Sequence, residues 1–477
     1  MAVQQLKIQN AADRLGTEPV GRLLLRFSLP AITGMLVNAL YNVVDRIFVG
    51  RGINEAALGG LSLVLPLMTM SMSFAMLFGI GAANTISLRL GQGRREEAEN
   101  TLNHCLVLLV GTGIVMIAVG IFFLDDILSL MGAQEGSLAL DYARRYFRII
   151  LFGSVFMLAG FGLSHCTRAQ GFPVKTMIAM LLGAVLNIIL DPIFIYVLRW
   201  DVEGVALGTV ICQFISLAWI LYFCISKKAV IRLSRSSFKP DFKIVLGIIS
   251  LGLPQFLMHI VMSAVQLLIN TSLGWYGADA LGVDNGGDVA LSGMNIVISF
   301  LMVILMPVFG INQGCQPIIG YNYGAKNFAR VLKAYLLAIA ASTAVCIVGF
   351  AVVQGFPVQI TRLFVPQGSD AILHFTPKAL RISMMFMPLI GFQIVSANLF
   401  TFTGRPKISI VLNMLRQCII LIPCLIIFGR VWGLWGIVAA GPVADIVSFI
   451  FTGIMIMFEL RKLRASALGS PLLPQHQ

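Results

Sequence analysis

The sequence is poor in charge: Asp, Glu, Lys and Arg supply 12% of its 477 residues, about half the share usual in a water-soluble domain. With 58% hydrophobic residues and a mean hydropathy of +0.90, this excludes a soluble fold and makes the lipid bilayer the solvent. Several chemical signatures are also missing. No GxxxxGK[ST] loop occurs, which removes ATP as a driver within this chain. His104, His165, His259 and His374 stand alone, without HExxH or HxH spacing, so no metal site is expected. The cysteines at 105, 166, 212, 224, 315, 346, 418 and 424 all fall inside apolar runs without CxxC spacing, and are read as small packing residues. No nucleophile with a base stands out, so the chain is not read as an enzyme. A channel would need a repeated filter motif or a ring of like charge, and neither is evident. The opening stretch 1–22 has no short apolar core, so no signal peptide is expected. The net charge of +13 does not point to nucleic acid, because Lys and Arg punctuate long apolar runs instead of interleaving with stacking aromatics.

What is present is a series of apolar windows of about 20 residues, the length that crosses a bilayer as helix. They lie near 24–48, 56–88, 101–123, 141–166, 174–198 and 204–225, then near 244–274, 289–322, 332–355, 376–402, 408–429 and 434–458. The expectation is an all-α polytopic membrane protein of twelve transmembrane helices in two six-helix lobes, at 1–226 and 244–460. A basic linker at 227–243 joins them and a tail follows at 461–477. Alternate connectors carry the Lys and Arg: Arg94 and Arg95, Arg168 and Lys175, the linker, Lys326 and Arg330, Arg405 and Lys407, and Arg461, Lys462 and Arg464. The positive-inside rule puts these connectors and both termini in the cytoplasm, with Arg144, Arg145 and Arg148 as exceptions.

The two halves repeat each other. RFSLPAITGMLVNALYNVVDRIFVG (26–50) aligns with SLGLPQFLMHIVMSAVQLLINTSLG (250–274), and FGIGAANTISLRLGQGRR (78–95) with FGINQGCQPIIGYNYGAK (309–326). QGFPVKTMIAMLLGAVLN (170–187) aligns with TGRPKISIVLNMLRQCII (403–420), glycine and proline in step, and EGVALGT (203–209) with WGIVAAG (435–441). Six spans per copy make the repeats parallel, the arrangement of transporters that hold substrate near the midplane.

Duplication lets the chain act as its own control, since a residue the shared fold needs recurs in both halves. The prolines and glycines recur, but the acids do not: Asp45 aligns with Ile269, and Asn187 and Asp191 align with residues around Ile420 and Cys424. An ionised carboxylate at the bilayer centre costs at least roughly 2.5–3.5 kcal/mol, so intramembrane acids are functional candidates by default. Asn187 and Asp191 are four apart on one helix face, and Tyr41 and Asp45 repeat that spacing. Thr209 adds a hydroxyl from the sixth span, and Pro192 frees the carbonyl of Ile188. A proton, a sodium ion and a cationic substrate are then competing ways to neutralise one carboxylate, which is an exchange mechanism. Met35, Asn42, Met157, Met258, Met262 and Gln266, with Phe156, are candidates for an adaptable substrate surface. Arg416 and Asp445 form a candidate charge pair in the second half, unless Arg416 snorkels to the headgroups.

LPAITGMLVNALYNVVDRIFVG in the first span, LGQGRREEAE after the second, RAQGFP before the fifth and LNIILDPIFIY within it together resemble the multidrug and toxic compound extrusion (MATE) family, of the multidrug/oligosaccharidyl-lipid/polysaccharide flippase superfamily. Similarity runs from about residue 15 to 460. The resemblance implies two six-helix lobes and antiport of amphipathic, mostly cationic organic compounds against Na⁺ or H⁺ in the inner or plasma membrane. It also implies coupling by the pattern of the DinF-like branch, at Asp45, Asn187, Asp191 and Thr209, with Tyr41 one turn before the first aspartate. The NorM-like acids of the seventh and tenth helices have no counterpart here, where Gln255, Gln266 and Gln393 are uncharged. A lipid-linked oligosaccharide flippase is the alternative, but it should line its cavity with several basic residues. No cofactor is expected beyond the coupling ion; the partners are small-molecule substrates and membrane lipids, and the chain is expected to be a monomer.

Overall fold

The computed structural model describes residues 12–53, 55–131, 136–234, 239–280, 285–365 and 370–467. Helix dominates and no strand occurs among these residues, as it must where no water satisfies the backbone. The first half supplies α1 (Val20–Gly52), α2 (Glu55–Gly91), α3 (Arg95–Phe122), a short α4 (Leu124–Leu130), α5 (Leu138–Ala169), α6 (Pro173–Pro192) and α7 (Val202–Ile225). The second supplies α8 (Phe242–Ala280), α9 (Gly286–Gly324), α10 (Phe328–Gly355), a short α11 (Pro357–Phe364), α12 (Asp370–Ser383), α13 (Met387–Phe402), α14 (Pro406–Met414) and α15 (Ile422–Ala467). Single π-helical stretches, Ile193–Val197 and Leu415–Leu421, continue α6 and α14.

Ten helical stretches, counting α6 with its continuation and α14, its continuation and α15 as one, are long and apolar enough to cross a membrane. The tenth expected span is instead a broken one, in which α12 and α13 meet at 48°. Pro388, in the first turn of α13, explains the break, because its ring would clash with the carbonyl of Met384 in a continuous helix. The stretch Pro406–Ala467 holds 62 residues, about 93 Å if straight, or three times the hydrocarbon thickness. It doubles back at Gly433, whose φ of 57° and ψ of −135° are not helical. A methyl group on Gly436 would strike the carbonyl of Phe428, a contact impossible along a straight helix. Two spans therefore occupy 406–432 and 434–467, the eleventh and twelfth.

The repeat is visible in matching turns. Gly171 and Gly404 both take positive φ, 100° and 80°, and Pro173 and Pro406 open the helices that follow. Gly171 N donates to Arg168 O and Gly404 N to Thr401 O, at 3.0 and 3.1 Å. A left-handed glycine ends one helix and a proline with no amide hydrogen begins the next, which is why this pair of residues stays in step between the halves.

The chain forms two compact units, one of Met1–Phe256 with Gln316–Ala325 and one of Leu257–Cys315 with Lys326–Gln477. The division runs through α8 and α9, and the connector expected at 227–243 is tied to the first unit. Asn100 Nδ2 donates to Lys239 O at 2.8 Å, Asn103 Nδ2 to Ser234 O at 3.2 Å, and the Asp241 amide to His104 Nε2 at 3.1 Å. Gln316 joins the unit by donating to Asn84 Oδ1 at 2.9 Å. Within it α5 is central, packed against α2, α3 and α7, while α1 lies along α6 and α6 along α7. In the second unit α13 packs against α10 and α15, around Val297, Val308, Phe375, Met387, Leu425 and Ile437.

The positive-inside exceptions also find partners. Arg144 donates to Asp125 of α4 at 2.8 Å and Arg145 pairs with Asp141 at 2.6 Å, so two of the three charges are locally neutralised.

The reversal at Gly433 gives a direct test. Gly433→Ala places a Cβ on a backbone conformation that costs a non-glycine residue about 1–3 kcal/mol. The purified protein should unfold at a lower temperature, read by intrinsic fluorescence; an unchanged midpoint would argue against a reversal at this residue.

Candidate functional site

The acids of the first half sit in the first unit, among the ends of α1, α5, α6 and α7. Asp191 lies one turn after Asn187 on α6, and both side chains are buried. Asn187 Nδ2 donates to Asp191 Oδ1 at 3.2 Å. Pro192 follows immediately, and the chain widens into the π-helical turn Ile193–Val197, closed by a 2.9 Å bond from Leu198 N to Ile193 O. Single π-turns of this kind are often found at functional sites. Here the turn re-aims the residues beyond Asp191 without breaking the span.

Asp45 of α1 brings a second carboxyl within hydrogen-bonding range of Asp191. Two ionised carboxylates at that range repel, and neither can donate to the other unless one holds a proton or a cation lies between them. Asp191 Oδ2 and Asn187 Oδ1 are buried and receive no N–H or O–H bond from the described residues. Buried oxygens without donors are expensive unless something positive or a water fills the gap.

Neutral oxygens complete the cluster. Tyr41 of α1 and Thr209 of α7 are half-buried. Tyr146 of α5 is buried, lies beside Thr209 and is in the electrostatic range of Asp45, Asp191 and Tyr41. The α7 backbone must come close to admit Asp191: a Cβ on Gly208 would stand 3.1 Å from Asp191 Oδ1 and 3.4 Å from the Phe194 ring. Cys212, one turn further along α7, is also in the electrostatic range of Asp191. Among the described residues no three His, Cys, Asp or Glu converge as a metal site. The donors here are oxygens and few of them are charged, which suits a proton or a hard monovalent cation and not a transition metal.

All five residues singled out for coupling, Tyr41, Asp45, Asn187, Asp191 and Thr209, thus converge on one place. Tyr146 was missed. Its sequence signal is faint, an aromatic hydroxyl inside the run YARRYFRII, and the surrounding arginines make that helix turn look interfacial. Of the candidate substrate residues, Met35 and Met157 belong to the first unit and are half-buried, with Met157 packed on its core. Met258, Met262 and Gln266 belong to the second and are half-buried, and Gln266 Nε2 donates to Asn270 Oδ1 at 2.9 Å. The side chains of Asn42 and Arg46 lie outside the described residues. The repeat counterparts of Asp45, Asn187 and Asp191, namely Ile269, Ile420 and Cys424, are ordinary packing against the core of the second unit. In that unit Arg416 Nε donates to Asp445 Oδ1 at 2.7 Å.

Comparison with known proteins agrees with this anatomy. The MatE family model matches twice, at residues 30–193 and 254–427, once in each half. The multidrug export protein MepA of Staphylococcus aureus (strain MRSA252) is 27% identical over 446 residues, covering 93% of this chain and 94% of that protein. A MATE structure in the bent conformation superposes with a TM-score of 0.87 at 25% identity, covering 96% of this chain and 99% of the other. An outward-facing multidrug resistance MATE transporter of the MOP superfamily superposes at 0.84 with 27% identity, covering 94% and 98%. The twofold match, spread over more than half of an all-helical polytopic chain, establishes that this protein belongs to the MatE family of multidrug and toxic compound extrusion transporters.

Proposed function

We propose that the chain is a secondary antiporter that exports amphipathic, mostly cationic organic compounds in exchange for H⁺ or Na⁺, with Asp45 and Asp191 as the coupling carboxyls. The observation that carries this reading is the approach of a second carboxyl, that of Asp45, to the buried Asp191, one of whose oxygens receives no donor from the described residues. Such a pair is stable only when occupied by a positive charge, so its occupancy changes with the ion concentration it faces. Asn187, Thr209, Tyr41 and Tyr146 supply neutral oxygens that hold the ion or orient the carboxyls. The similarity to a multidrug export protein supports the substrate class. By the positive-inside rule both termini face the cytoplasm, and the protein works in the inner or plasma membrane as a monomer without an organic cofactor.

Dye efflux from vesicles, with Na⁺ and pH gradients imposed separately, tests the coupling. Asp191→Asn should reduce gradient-driven efflux roughly tenfold or more, a change worth about 1.4 kcal/mol or above, while the protein still accumulates in the membrane. Full efflux by that variant would remove Asp191 from the mechanism. The gradient that drives the wild type identifies the ion.

Tyr146→Phe is a milder probe. Its hydroxyl stands beside Thr209 and near both carboxyls, and removing a polar group of this kind costs about 1 kcal/mol, so efflux should fall several-fold and the ion dependence should shift to higher concentration. An unaltered ion dependence would reduce Tyr146 to a packing residue.

A further inference from the structure

Arg148 is the third exception to the positive-inside pattern, and it differs from Arg144 and Arg145 in having no counter-ion. The described residues give neither its guanidinium nor the carboxylate of Asp126 an ion-pair partner. Both side chains are exposed. Both line one cleft of about 460 Å³, formed by the end of α3, the start of α4 and the first half of α5. That volume falls in the range of roughly 300–1,000 Å³ found for pockets that hold small ligands. The walls also include Asp125 and the apolar Ile121, Phe122 and Phe152.

Contacts among the three helices set the heights of these groups. A Cβ on Gly113 would strike Val155, one on Gly120 would strike Leu151, and Arg144 donates to Asp125 at 2.8 Å. The order of these contacts makes α3 and α5 antiparallel and brings Arg148 level with Phe122, one turn inside the Arg144–Asp125 pair, with Phe152 a turn deeper. The first turns of α3 hold the connector through Asn100, Asn103 and His104. Residues 105–122, about 27 Å of helix, are left to cross the hydrocarbon, which is about that thick. Phe122 and Arg148 therefore stand at its far boundary, the level of the lipid headgroups. Ile121, Phe122 and Phe152 are 47, 84 and 58% exposed, and exposed apolar rings at this depth face lipid.

From the membrane surface inward, the cleft thus presents a carboxylate, a guanidinium and an apolar wall. Arg144 already neutralises Asp125, so the open charges are one of each sign, Asp126 and Arg148, which share a cleft without pairing with each other. A ligand that satisfies both carries a cation outermost, an anion beneath it and an apolar chain below. That is the order of groups in a zwitterionic phospholipid.

We propose that this cleft binds the headgroup of phosphatidylethanolamine. The phosphate accepts from Arg148, whose planar fork of donors suits it, the ammonium donates to Asp126, and the acyl chains run along Phe122, Ile121 and Phe152. An arginine that only snorkels reaches any phosphate; what Asp126 adds is a choice among lipids. A primary ammonium offers three N–H donors to the carboxylate, the trimethylammonium of phosphatidylcholine offers none, and phosphatidylglycerol carries no cation. The leaflet is the outer one by the orientation given under Proposed function; the site itself depends neither on that orientation nor on the coupling ion.

Lipid binding to the purified full-length protein tests this apart from transport. Delipidated protein in detergent is titrated with phosphatidylethanolamine, phosphatidylcholine or phosphatidylglycerol of the same acyl chains, and bound lipid is counted by native mass spectrometry. The wild type should bind the first at least about tenfold more tightly than the other two, the worth of one charge-assisted hydrogen bond. Arg148→Gln should weaken phosphatidylethanolamine by about tenfold or more, and Asp126→Asn should bring it down to the level of phosphatidylcholine. Arg145→Gln, on the same helix but paired with Asp141 and outside the cleft, should change nothing. Equal affinity for phosphatidylethanolamine in the wild type, Arg148→Gln and Asp126→Asn, all unfolding at the same temperature, would sink the proposal. A wild type that binds the three lipids alike, with all three weakened in Arg148→Gln, would reduce the cleft to a phosphate contact and overturn the zwitterion assignment.

Discussion

A charge placed in hydrocarbon must be neutralised, and the ways this chain does so organise its chemistry. Arg416 and Arg405 pair with Asp445 and Glu459. Asp191 has no such partner: what approaches it is Asp45, another acid, with amide and hydroxyl oxygens around them. An arginine neutralises a carboxylate once and for all, because it does not lose its proton. A second carboxyl leaves the neutralising charge to be supplied from solution, and a charge supplied from solution can be withdrawn.

Backbone geometry serves that difference. Asp191 approaches α7 because Gly208 has no side chain to hold it off, and Pro192 with the π-turn after it lets the span continue while the residues beyond the carboxyl are re-aimed. The eleventh span carries its own π-turn, at Leu415–Leu421, and Arg416 lies inside it. In both halves the fifth-position helix of the repeat is therefore interrupted by one wide turn, but at different heights: beyond the acid in the first, and at the arginine in the second. The shared six-helix plan tolerates a π-turn at more than one level, and each half has placed it beside its own charges.

Much of this was legible in the sequence because lipid leaves few alternatives. The spans follow from apolar length, and the candidate coupling residues follow from polarity inside an apolar run: a carboxylate at 191 and an amide at 187 stand out against GAVLNIILDPIFIY. The turns QGFP and TGRP could be matched because glycine and proline perform jobs there that other residues do poorly. Tyr146 was not legible, since a tyrosine is as much at home at a membrane interface as in a buried site, and only packing decides between the two. The break before Pro388 and the place where the compact units divide were equally hidden. Apolar length does not record a 48° bend, and it does not record which neighbour a helix end packs against.

The duplicated sequence also shows which features belong to the fold and which were added to it. Pro30 and Pro254, Gly171 and Gly404, and Pro173 and Pro406 are shared, and all of them shape backbone. Asp45 against Ile269, and Arg416 against Gly183, are not shared, and all of these are charge against packing. A repeat that needed carboxylates to hold its helices together would have kept them in both copies. Instead the second copy fills the Asp45 position with isoleucine packed on a core and carries Asp445 and Glu459 on its last span, each paired with an arginine. The two halves have the same helices and different electrostatics: one pairs its buried acids with arginines, and the other brings two acids together.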